Sequence, residues 1–245
     1  MHIPDFIRAT SRLHGCCARR TLPRKARSST QVAWGGQPAL RRISTRSVGA
    51  LGRGMALEQS QGVLRAVSST KDVELAAQEL ARQLIHPYLG FVLFFCSAEY
   101  DLDGLGQALE AHFGGVSLVG CTSAGEITPQ GYDRGCVVAL GFDLRCFSIA
   151  SALIDEMERF NLLDAQHLVD GLVKDCRSNE LASIKGHSFA LTLLDGLSSR
   201  EELVLGALSA ALGSIPHFGG SAGDDNHLTH THVYHGGRFH SGAAV

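Results

Sequence analysis

The sequence predicts an α/β fold of the mixed (α+β) kind, in which two strand-helix-strand repeats build a mixed β-sheet flanked by helices. Three observations lead there. Gly120-Cys121-Thr122-Ser123-Ala124-Gly125-Glu126 is echoed by Gly219-Gly220-Ser221-Ala222-Gly223-Asp224, so Ser-Ala-Gly followed by an acid occurs twice. Leu102-Asp103-Gly104-Leu105 precedes the first copy and Leu194-Asp195-Gly196-Leu197 the second; the offset is 92 residues for this pair and 98 for the serines. A shared order at nearly constant offset marks an internal duplication. Finally, apolar runs of strand length alternate with stretches of helical period.

Each element has a local reason. Asp72, after Ser69-Thr70, caps a helix through Val73, Leu75, Ala76, Leu80 and Leu84, which His86-Pro87 ends. Gly90 opens a strand, Phe91–Cys96, whose unbroken apolar run suits a strand covered on both faces. Leu102–Phe113 reads as a helix stopped by Gly114-Gly115. Val116–Cys121 is a strand leading into the first Ser-Ala-Gly turn, and Pro129–Gly131 make a further turn. Gly135–Phe142 and Phe147–Ile154 read as strands, then about Leu162–Cys176 as a helix. The second copy follows: strand Ser188–Leu194, helix Arg200–Leu212 stopped by Gly213, and the second turn in Phe218–Gly223. Thr231–His235, Gly236-Gly237 and Arg238–His240 form a hairpin pattern. The sequence stops at Val245 inside a strand pattern, which predicts a fragment of a longer protein.

Composition sets the bounds. The chain has 245 residues, 44% hydrophobic and 19% charged, an ordinary globular balance. Residues 1–54 hold ten Arg and one Lys against Asp5 alone, a charge of +10, so the rest carries −12 within the net −2. A basic arm on an acidic body does not describe a nucleic-acid-binding body. The arm reads as unfolded, from a start assigned too early (Met55 being the real one) or a transit-like leader. The globular domain is then expected over residues 55–245. Seven Cys without a C-x-x-C pair suit buried reduced thiols in a cytoplasmic protein. No apolar run approaches the ~20 residues of a membrane span.

Four segments in this order resemble the FIST family of bacterial sensory domains: Val119–Glu126; Leu194–Leu197 followed by Glu201-Glu202; Pro216–Asp224; and Val233–His240. The resemblance covers roughly residues 60–245 and is to the family's N-terminal domain. It implies a cytoplasmic small-ligand sensor working with a histidine kinase or a cyclic-di-GMP enzyme, without catalytic residues. A homodimer is one arrangement open to such a sensor. For a stand-alone subgroup the family implies haem b as cofactor and nitric oxide as signal. An amino-acid-like ligand without haem is the alternative. The Arg-rich arm matches nothing in the family.

The candidate residues fall into three groups. The Ser-Ala-Gly turns offer Ser123, Gly125, Gly220, Ser221 and Asp224, whose small residues let a ligand approach the backbone or let the two repeats pack closely. Asp195, after a strand, occupies a position where α/β proteins often contact ligands; its bland role is to cap the following helix with Ser198. Asp225 is assigned to an Asx-type turn. Six of the twelve His lie between 217 and 240. His235 and His240 rank first as haem ligands and His187 and His217 next; for any single one a solvated turn histidine is the better expectation. A hydrolase using Ser221 or Cys121 with a nearby His is the remaining class, although neither turn is G-x-S-x-G. No Walker A or G-x-G-x-x-G pattern points to nucleotide hydrolysis.

Overall fold

Phe91 to Cys96 form the centre of strand β2 (Leu89–Ser97), and their two faces decide the architecture. The structure is a computed structural model and describes residues 62–245. The basic arm expected over residues 1–54 lies outside the described residues. Val92, Phe94 and Cys96 point to one hydrophobic core; Phe91 and Leu93 point to a second. An apolar run without alternation is what two covered faces require.

The first repeat runs β1 (Val63–Ser68), α1 (Val73–Leu84), β2, α2 (Leu102–His112), β3 (Ser117–Ser123), the hairpin β4–β5 (Glu126–Thr128, Gly131–Asp133) and β6 (Val137–Asp143). The second runs α3 (Leu162–Ser178), β7 (Ala190–Leu194), α4 (Glu201–Leu212), β8 (His217–Ser221) and the hairpin β9–β10 (Val233–His235, Arg238–His240). Residues 243–245 then pair with β7 as β6 pairs with β2. The duplication is therefore present in the fold. β2–α2–β3 and β7–α4–β8 are both parallel strand-helix-strand units, with registers Ser97↔Ser123 and Leu194↔Ser221.

The two repeats share two main sheets, with β9 and β10 of the second joining the sheet of the first. The larger is mixed, with strand order β1-β6-β2-β3-β9-β10; the smaller contains β7 and β8. α1 and α2 cover the outer face of the larger sheet, where Leu80, Leu84, Leu105, Leu109 and Phe113 are buried. Leu193, Val119, Cys121 and Val233 fill the layer between the sheets. α3 and α4 cover the outer face of the smaller sheet through Val169, Val204 and Leu208. The order of layers is helices, sheet, sheet, helices.

Local signals set most boundaries. The Asp72 carboxylate accepts from Leu75 N at 2.9 Å, and Asp101 from Gly104 N at 3.2 Å. Asn161 and Asp164 form a capping box on α3. Two elements depart from expectation. β1 carries too many polar residues in Val-Leu-Arg-Ala-Val-Ser to stand out as a strand; it is an edge strand with only three strongly apolar side chains. Phe147–Ile154 was expected as a strand, but its only ladder contact is Ile154 with Ala244. The Leu-Asp-Gly-Leu copies also do not superpose. The first opens α2 while the second closes β7, so the repeat is carried by the strands and the Ser-Ala-Gly turns.

Candidate functional site

β3 and β8 both end in Ser-Ala-Gly, and the two turns meet. Gly223 N donates to Thr122 O at 2.9 Å. A Cβ on Gly223 would lie 2.9 Å from Ala124 N and 3.1 Å from Ala124 Cβ. The glycine is needed for this close approach, which is the packing role foreseen for these turns. Thr122 binds the chain that follows: its Oγ1 accepts from His232 N at 3.0 Å.

Around this contact the carboxylates divide their work. Asp224 is buried and accepts from Leu228 N (2.8 Å), Thr229 N (2.6 Å) and His230 N (3.0 Å). The backbone N–H of Thr229 and then that of His230 hold its pKa far below the usual carboxylate range. Asp224 thus fills the turn role expected of Asp225. Asp195 is also buried; it accepts from Thr231 Oγ1, Gly242 N and Leu197 N. It ties the end of β7 to the chain on both sides of the β9–β10 hairpin. Neither Asp195 nor Ser198 caps α4, whose N-cap Arg200 makes no side-chain cap; Ser198 Oγ accepts from Arg200 N, ahead of the helix, at 3.2 Å.

Ser97 and Ser123 stand side by side at the ends of β2 and β3. Ser97 Oγ donates to Asp225 Oδ2 at 2.8 Å, and Ser123 Oγ to Glu126 Oε1 at 2.7 Å. Asp225 Oδ1 is buried without a hydrogen-bond partner. Asp225 has φ of 55°, a conformation open to Asp at modest cost. Lys71, Glu99, Arg134 and His227 surround this pair; Arg134 feels Asp225 and Glu99, and Glu99 feels Lys71 and His227. Ser97, Arg134 and the role of Asp225 were not singled out from sequence. Only the adjacency of two acids after the second turn hinted at more than one task.

Glu126 is 2% exposed, and its Oε2 meets Cys136 N at 3.4 Å and Sγ at 3.3 Å. Burial raises its pKa above the ordinary 4.5, against the lowering effect of Ser123 and Cys136, with the Asp225 charge adding to the rise. The folded state therefore favours the protonated form. That contribution to stability is complete below about pH 4.5 and is lost as pH rises through the shifted value. Glu126→Gln removes it. The melting temperature of the variant relative to the native chain should climb as pH rises above about 4.5. A constant difference across that range overturns the assignment.

The remaining candidates lie apart. Gly125, at φ 110°, has the Tyr132 hydroxyl against it, and that hydroxyl donates to Ala124 O at 3.0 Å. Gly220 faces open space and Ser221 is exposed on β8. Cys121 is buried, and burial pushes its thiol up to about 12, so no thiolate forms there near neutral pH.

The four histidines do not gather. His217 has both ring nitrogens engaged, Nε2 with Thr192 Oγ1 at 2.7 Å and Nδ1 with Ser209 Oγ at 3.4 Å. His240 has both engaged as well, with Asp155 Oδ1 at 3.3 Å and His235 O at 3.1 Å. His235 Nε2 lies 3.4 Å from Ser151 Oγ, and His187 is exposed with Nδ1 on Ser183 and Lys185 O. As bonded, His217 and His240 keep no ring nitrogen for an axial haem ligand, whereas Nδ1 of His235 and Nε2 of His187 are not engaged by these contacts. An open hollow of about 310 Å³ is lined by Leu153, Asp155, Arg159, Phe160, Asp164 and His167 and holds none of the four. Among the described residues no three His, Cys, Asp or Glu side chains are grouped to hold a metal ion.

A duplicated α/β body with polar side chains at the ends of parallel strands is an architecture for small-ligand recognition. The family model of the FIST N domain matches residues 90–245, well over half of the chain. The chain belongs to the FIST family, whose domains are sensory modules of signal transduction. No curated protein and no solved structure matches it. Among the described residues no helix is long and apolar enough to cross a membrane.

Proposed function

We propose that this domain senses a small zwitterionic molecule of the amino-acid class, bound where the two repeats meet, and passes its occupancy to a partner protein. The observation that carries this reading is Asp225. One oxygen is fixed by Ser97 and the other is buried with its hydrogen-bonding capacity unused. An unpaired buried carboxylate oxygen is costly, and a ligand ammonium supplies the donor that it lacks. The exposed guanidinium of Arg134, in the same charged surround, receives the ligand's carboxylate. Residues 224–230 carry the signal: Asp225, Asn226 and Leu228 all hold positive φ, so a ligand preferring this arrangement shifts the loop population toward it.

The partner under this reading is a histidine kinase or a cyclic-di-GMP enzyme in the cytoplasm. Haem b and nitric oxide are not required. The test is a thermal-shift screen of amino acids and simple amines, followed by calorimetry on any hit. Asp225→Asn should weaken a hit at least tenfold while leaving the fold intact, because the amide keeps the Ser97 contact but loses the charge. Supplying ferrous haem should leave the spectrum without a histidine-ligated Soret band. A Soret band lost in His235→Ala would replace this reading with the haem one, and a hit unaffected by Asp225→Asn would move the site elsewhere.

A further inference from the structure

Two carboxyl groups hang from one pair of strand ends. Ser97 and Ser123 are direct partners in the β2–β3 ladder, and neighbouring strands lie about 4.8 Å apart. Ser97 Oγ accepts from Glu99 N at 3.2 Å, which leaves its hydroxyl proton for Asp225 Oδ2 at 2.8 Å. Ser123 Oγ holds Glu126 Oε1 at 2.7 Å and also lies 3.4 Å from Cys96 O. The two acids differ in what remains free. Asp225 keeps one oxygen without a partner, whereas Glu126 is shut in and, among the described residues, pairs with no cation.

The contacts of Glu126 accept either protonation state. Cys136 N and Sγ donate to Oε2, at 3.4 and 3.3 Å, in both. With the carboxyl ionised, the Ser123 hydroxyl donates to Oε1. With the carboxyl protonated the direction reverses: Oε1–H donates to Ser123 Oγ, and the Ser123 hydroxyl turns to Cys96 O. No heavy atom has to move, so burial and charge decide between the states. The titratable groups facing Glu126 are Cys96 of β2, Tyr100 beyond it, Cys136 ahead of β6, and Asp225. Burial raises the first three, Cys136 up to about 12, so they carry no charge near neutral pH. Lys71 and Asp133 act on Cys136 with opposite signs, and Arg134 faces Asp225. After burial itself, the Asp225 charge is what opposes ionisation of Glu126.

We propose, on the reading that a ligand ammonium docks at Asp225, that Glu126 releases its proton as the ligand binds, so that the domain responds to ligand and proton concentration together. The ammonium cancels the Asp225 charge, and the Glu126 anion then has burial alone against it. The Oε1–H bond breaks, its electron pair stays on the carboxylate, the buffer takes the proton, and the Ser123 hydroxyl turns back to Oε1. Coupling is reciprocal: a ligand that loosens the proton binds more tightly to the deprotonated protein. Affinity therefore rises with pH through the titration of Glu126, above the ordinary 4.5, and levels off once Glu126 is ionised without ligand.

The test is an NMR titration of the full chain with its carboxyl carbons isotope-labelled, Glu126→Gln and Asp225→Asn assigning the two signals. The Glu126 midpoint should lie above 4.5 in the native chain and fall by about one pH unit in Asp225→Asn. Calorimetry with the first-ranked amino acid of the thermal-shift screen, in two buffers of different ionisation heat, should show proton release that Glu126→Gln abolishes. The native affinity should gain up to about tenfold across the titration, the same pH unit read from the ligand side. An unmoved midpoint with an amino acid bound overturns the coupling and leaves the ligand reading intact. A midpoint that falls in Asp225→Asn while no amino acid binds supports the coupled pair and overturns the ligand. Should Asp225→Asn misfold, the Asp225 signal of the native chain decides: a second inflection at the Glu126 midpoint supports the coupling, and its absence overturns it.

Discussion

Asp195→Ala should lower the melting temperature by roughly 10 °C, the equivalent of about 3 kcal/mol in a domain of this size. Three donors meet at this carboxylate: Thr231 Oγ1, Gly242 N and Leu197 N. Asp195 itself is 6% exposed, so water does not replace what the substitution removes. Asp195→Asn should cost less, because one oxygen remains to accept while the amide nitrogen meets Gly242 N as a second donor. Thermal unfolding followed by circular dichroism ranks the three proteins. A melting temperature unchanged in Asp195→Ala, with ligand binding lost, would make this residue a ligand contact and not a structural tie.

Gly196→Ala should be nearly as damaging, at about 1–3 kcal/mol or more. A Cβ there would stand 2.1 Å from Ala222 O and 3.2 Å from Ser221 Cβ. The first of these is backbone, on the turn that packs against Ala124, so relief requires moving the junction of the two repeats. Gly104, in the other Leu-Asp-Gly-Leu copy, offers the internal comparison. Its Cβ would meet side chains alone, the end of Asp101 at 2.5 Å and Val73 Cγ2 at 3.3 Å, and it lies in the first turn of α2. Gly104→Ala should therefore be close to neutral, with the better helix propensity of alanine offsetting the shift of Asp101. Equal losses at the two glycines would mean that the motif has one structural role in both copies.

The comparison of these glycines shows what the sequence made legible. The duplicated Ser-Ala-Gly turns located both strand ends and their contact, because small residues are demanded wherever two backbones touch. The apolar run of β2 announced two covered faces, Asp72 placed the start of α1, and Gly114-Gly115 placed the end of α2. The Leu-Asp-Gly-Leu pair misled in detail, since a four-residue motif with a turn-prone centre suits both a helix start and a strand end. The division of labour between Asp224 and Asp225 was not legible. Adjacent acids differ only in the direction the chain turns between them, which depends on contacts with Ser97, more than a hundred residues away. Histidine spacing within a hairpin likewise does not reveal that His240 reaches back to Asp155, or that His217 is taken up by Thr192.

The sheet of the first repeat is completed by a strand of the second. β9 pairs with β3 in the register Gly120↔Tyr234, across 114 residues of chain. During synthesis at ~5–20 residues per second, β3 leaves the ribosome on the order of ten seconds before its partner. For that interval the nascent chain presents a bare apolar strand edge, a template for pairing with other chains. Yield in the cell should accordingly depend on how fast translation proceeds from residue 124 to residue 235 and on chaperone supply over that window. Slow codons placed there would favour inclusion bodies without altering a single residue of the finished protein.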